Sequence, residues 1–157
     1  MGYVAEILDE RDVIEEALAN FSVLIDDLDF EAELELMGIG RLHFLRRRQM
    51  QIELKGLYMA LWHLALSRSF PQDADAMFAS FLNRYAAAHP GKPGEPIVKR
   101  AAEYSGMLAP YGDADFNDVA GHLLSFLESP EKDTRALKLR LALHIRSAYR
   151  FIFERLI

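Results

Sequence analysis

Val4, Ile7, Ile14, Leu18, Phe21, Ile25 and Leu28 recur at spacings of three, four or seven, with Arg11 inside the one long gap. That rhythm restricts the opening of the chain to an amphipathic helix, predicted over about residues 3–28. Its second half adds Val13, Ala17 and Leu24 beside the stripe, so it is expected to be buried more broadly. The same spacing returns in the later apolar stretches, and no segment alternates with period two beside turn residues. The fold class expected is all-α, a bundle of six or seven helices with long first, middle and C-terminal members. At 157 residues the chain fits one domain and can bury roughly 70% of its unfolded surface.

Glycine and proline mark the boundaries. Asp29 is placed to cap a short helix carrying Phe30, Leu34 and Met37, and Gly38-Ile39-Gly40 breaks it, making Gly38–Gly40 a hinge candidate after the acidic N-terminal segment. From Arg41 to about Arg68, Leu42, Leu45, Ile52, Met59, Leu61, Trp62, Ala65 and Leu66 give a second long helix. On it Gly56 and Ala60 stand four apart, which predicts a close helix crossing. Pro71 suits a first helical position, and Met77, Phe78, Phe81, Leu82 and Tyr85 continue to His89, where a Pro-Gly-rich loop begins. A shorter helix over residues 97–108 is entered through Pro96, and the next is capped by Asp113 or Asp115. Ser129-Pro130-Glu131 opens the last helix. There Leu137, Leu141, Ile145, Ala148, Ile152 and Leu156 form one stripe, and Leu139, Leu143, Phe153 and Ile157 form a second. A helix apolar on two sides is expected to touch two neighbours.

Charge is divided unevenly. Residues 1–37 hold twelve carboxylates and one base, Arg11, a local net of −11, whereas the remainder nets +5. Such asymmetry bears on association and solubility more than on fold. The acidic first helix and the basic last helix are complementary, within one subunit or between two. Each exposed ion pair contributes only about 0–1 kcal/mol, so apolar burial must hold such a contact while charge orients it. There is no cysteine, which excludes disulfides, thiolate metal sites and cysteine nucleophiles. No apolar run reaches the roughly 18–20 residues of a membrane span. The first residues lack the basic start and apolar core of a secretory signal, so the cytoplasm is the expected compartment.

Candidate chemistry is sparse. None of His43, His63, His89, His122 and His144 has a glutamate three residues before it, and there is no His-Glu-x-x-His helix, so no metal site is expected. Arg84 and His89 have the arginine-histidine spacing of some small helical ribonucleases, but along one helix their side chains stand about 140° apart and do not converge without a break. Asp113-Ala-Asp-Phe-Asn117 has the start of a calcium loop, yet Asp118 replaces the glycine at position six and Leu124 the glutamate at position twelve. Arg46, Arg47 and Arg48 fan over about 200° of helix surface, which suits a salt-bridged belt, not a phosphate-facing stripe. The net charge of −6 also opposes nucleic acid as a partner. The last helix could rest on an anionic membrane, but its two stripes suit packing better.

The leading expectation is a small helical protein-protein interaction or regulatory protein, a homodimer with its first or last helix at the interface, or one that takes a basic protein partner. No resident cofactor and no catalytic residue is expected. The alternative is a bundle binding an apolar small ligand, haem-like or lipid-like, with Phe44, Trp62 and His63 as cofactor-site candidates beside Phe78 and Phe81. A small helical ribonuclease is the third reading.

Overall fold

The computed structural model describes residues 10–127 and 134–157, which form seven helices and no strand. They are α1 (Glu10–Asp27), α2 (Glu31–Leu36), α3 (Phe44–Ser69), α4 (Ala74–Ala88), α5 (Glu95–Leu108), α6 (Asn117–Leu124) and α7 (Thr134–Glu154). The expected first turn of the chain and the Ser129-Pro130-Glu131 start of the last helix lie outside the described residues. One continuous apolar core runs through all seven helices.

The centre of that core is α3. Leu54, Leu57, Met59, Leu61, Trp62 and Leu66 point in several directions around it and all are fully buried. A helix apolar all round must be enclosed. Its neighbours are α5 above all, then α7, α4 and α1, while α6 and α2 rest on α7. The α3–α5 crossing follows from Gly56, because a methyl placed there would lie 2.6 Å from Arg100 Cβ and 3.0 Å from the Ala101 nitrogen. Only a residue without Cβ lets the two backbones approach so closely.

Boundaries shift where turns compete with periodicity. The third helix begins at Phe44, not Arg41, because a turn closes from Gly40 to His43, with the His43 amide bonded to the Gly40 carbonyl at 3.1 Å. Leu42 and Leu45, which the spacing assigned to the apolar face, are exposed there. Pro71 sits in the turn before α4, and Pro96 is already inside α5. The end of α2 is a Schellman cap: the Ile39 amide bonds to the Leu34 carbonyl at 2.9 Å, Gly38 takes φ 74°, and Ile39 is buried. Asp29 Oδ1 accepts the Glu31 amide at 3.1 Å, yet the residue at the cap position is Phe30, at φ 60°. A left-handed non-glycine costs about 1–2 kcal/mol. Burial of the Phe30 ring, edge-on to Tyr58 at 5.1 Å, offsets it.

The last helix buries only one of its two stripes. Leu141, Ile145, Ile152 and Leu156 enter the core. Leu139 and Leu143 remain 57% and 53% exposed, and Phe153 and Ile157 are exposed with them.

Candidate functional site

The sequence-derived candidates separate. Trp62 is a core residue, stacked on Phe21 at 4.6 Å and tilted against Phe81 at 5.1 Å. Phe44 stands 73% exposed at the start of α3. Eighteen residues of helix put it about 27 Å from Trp62, so the structure does not bring the two together. His63 stacks on Phe78 at 4.1 Å, with Nδ1 2.5 Å from Ser105 Oγ and Nε2 2.8 Å from Asp75 Oδ1.

Ser105, His63 and Asp75 have the composition of an acyl-transfer triad, and their surroundings decide what they can do. Ser105 lies within α5, where the neighbouring amides are committed to helical bonds and cannot stabilise an oxyanion. Asp75 is 95% exposed on its side chain, so it does not hold His63 in a shielded site. The arrangement ties α3 to α4 and α5.

Among the described residues two carboxylates are buried, and both are bound by tyrosine. Glu53 accepts Tyr104 Oη at 2.7 Å and Arg100 Nε at 2.5 Å, and Arg100 also reaches Glu103 at 2.8 Å. Burial, then the bond to Glu53, raises the Tyr104 hydroxyl well above its usual range. Glu33 accepts Tyr58 Oη at 3.2 Å and lies 3.2 Å from His144 Nε2, joining α2, α3 and α7. The bond to Glu33 raises the His144 pKa against an opposing effect of burial. Sequence reasoning did not single out either carboxylate. Glu53 had a signal: it stands one turn before Gly56 and two before Ala60, on the side of α3 that predicted a close crossing.

Arg84 and His89 do meet one cleft, of about 280 Å³ between α1 and α4. The break is at His89 itself, which leaves helical geometry, stacks on Tyr85 at 4.2 Å and approaches the Tyr85 carbonyl through Nδ1 at 3.1 Å. Arg84 is taken by Glu15 in two bonds of 2.9 and 2.8 Å, and Asp26 lines the same cleft. Those acids oppose a phosphate there. The acids of the calcium-loop-like stretch are likewise spoken for, with Asp113 on Arg68 at 2.7 Å and Asp115 on Asn117. Among the described residues no three potential ligands converge on a metal position, and no helix is long and apolar enough to cross a membrane.

A larger cleft, of about 700 Å³, opens between the α1–α2 junction, α3 and the start of α5. Leu28, Phe30, Ile52, Pro93, Pro96 and Ile97 line it with Arg48, Gln51, Lys55 and Lys92. Of the three successive arginines, Arg47 pairs with Glu31 at 2.5 Å, whereas Arg48 turns to this cleft. Comparisons with protein-family models, curated proteins and solved structures return no match.

Proposed function

We propose that this chain is a helical association module that pairs with a second copy of itself, α1 of each copy lying against α7 of the other. The observation that carries the reading is the uncovered second stripe of α7. Leu139, Leu143, Arg146, Arg150 and Phe153 follow one another at spacings of four and three, within about 80° of the helix surface. Neither arginine has an ion-pair partner among the described residues. The outer face of α1 has the same spacing and the opposite charge: Asp12, Glu16, Ala19, Val23 and Asp26, all exposed.

Within one subunit α1 packs on α3 and α4, and α7 packs on α3, α6 and α2. Among the described residues neither Arg146 nor Arg150 is engaged by α1, which favours exchange between copies. Four-three spacing on both partners suits shallow helix-on-helix packing. An antiparallel register brings Glu16 toward Arg150 and Val23 toward Leu143. Exposed ion pairs supply direction and the apolar residues supply most of the affinity.

Light scattering across a concentration series tests the reading, with a mass twice that of the chain expected at the upper end. Arg150→Glu is expected to weaken association about tenfold or more, both copies of the contact being reversed, and adding Glu16→Lys to restore it. A monomer at every concentration, or a dimer indifferent to the charge reversal, overturns it.

A further inference from the structure

The 700 Å³ cleft beside α3 combines an apolar floor with three cations, Arg48, Lys55 and Lys92. Arg48 and Lys55 project from one side of α3, within about 20° of each other around the helix, and Lys92 faces them from the loop before α5. None of the three has an ion-pair partner among the described residues. Of the nearby acids, Glu31 is held by Arg47 and Glu53 is buried against Arg100 and Tyr104, while Asp27, Asp29 and Glu95 flank the lining residues without pairing to the three cations. The first turn of α5, at Pro96 and Ile97, adds the positive end of a helix dipole. Three like charges gathered over one cleft repel each other, and an anion among them relieves that repulsion.

We infer that this cleft binds a small amphipathic anion, with a carboxylate or phosphate head among Arg48, Lys55 and Lys92 and an apolar body against Leu28, Ile52 and Ile97. The volume falls within the roughly 300–1,000 Å³ of small-molecule sites, and mostly apolar walls with a few convergent polar groups are their usual chemistry. The site is separate from the aromatic core around Trp62, which is filled by its own side chains. It is also separate from the exposed faces of α1 and α7.

Isothermal titration of the whole chain with octanoate, octyl phosphate, 1-octanol and inorganic phosphate tests the inference. Octanoate or octyl phosphate is expected to bind once per chain, about tenfold or more tighter than either octanol or inorganic phosphate, since head and tail both contribute. The stronger of the two amphiphiles identifies the head group. Lys55→Gln with Lys92→Gln is expected to weaken that anion about tenfold and leave octanol unchanged, with circular dichroism confirming an intact fold. Ile52→Asn is expected to weaken the amphiphile and leave inorganic phosphate unchanged. Absence of saturable binding by both amphiphiles, or binding insensitive to the lysine pair, overturns the inference.

Discussion

Replacing Gly56 by alanine sets two opposed effects against each other at one position. Alanine is preferred over glycine in a helix interior by about 1 kcal/mol. The added methyl, however, would stand 2.6 Å from Arg100 Cβ, 3.0 Å from the Ala101 nitrogen and 3.1 Å from the Arg100 carbonyl carbon. Two of those atoms are backbone, so no rotamer change relieves them and α5 must back away from α3. That displacement also loosens the bonds of Glu53 to Arg100 and Tyr104. Overpacking of this kind costs about 1–3 kcal/mol against a gain in propensity of about 1, which leaves Gly56→Ala destabilised by up to about 2 kcal/mol. For a chain of this size that is a fall in Tm of up to about 8 °C. Gly106 is the control, because it lies on α5 where an added methyl would meet nothing within 4 Å beyond its own stretch of helix. Gly106→Ala is expected to gain up to about 1 kcal/mol, less for being close to the helix end. Urea unfolding followed by far-ultraviolet circular dichroism, with equal m values, reads both. If Gly56→Ala is as stable as Gly106→Ala, the account of the α3–α5 contact is wrong.

Glu53→Leu leaves the Tyr104 hydroxyl buried without an acceptor, whereas Arg100, about a third exposed, can regain water. A loss of about 2 kcal/mol is expected, of which Tyr104→Phe in the same chain recovers about 1; strictly additive effects in a urea double-mutant cycle would refute the coupling. His144 has a folded pKa above its usual 6.5, so its contribution is fully present below that value and fades as pH rises through the raised one. The stability difference between the native chain and His144→Gln is therefore expected to be larger at about pH 5.5 than at about pH 9, and a constant difference would show that Glu33 does not act on His144.

The all-helical class was legible because apolar spacing survives in every long segment, and Gly56 with Ala60 announced the α3–α5 crossing. Periodicity failed at Leu42 and Leu45, whose spacing fits the helix they precede and open, because spacing reports a helical face and not the presence of something to cover it. The second stripe of α7 carries the same lesson: the sequence showed two apolar sides, and the described chain covers one. Turn chemistry at Phe30 was invisible, since its left-handed backbone depends on a ring contact with Tyr58, 28 residues away in sequence. The cleft was illegible for a similar reason. Leu28, Arg48, Lys55 and Lys92 come from three separated stretches, and Arg48 looks in sequence like the equal of Arg47. Only the capture of Arg47 by Glu31 distinguishes them.

Because α3 is walled by α1, α4, α5 and α7 together, the departure of any one neighbour strips only one side of it. Its amides between Met50 and Leu66 then exchange with solvent only when the whole assembly of helices opens, so their exchange rates measure the global free energy of unfolding. On that packing the bundle is expected to open as one cooperative unit around α3, so that a destabilising substitution on a surrounding helix is read in the exchange of its central amides.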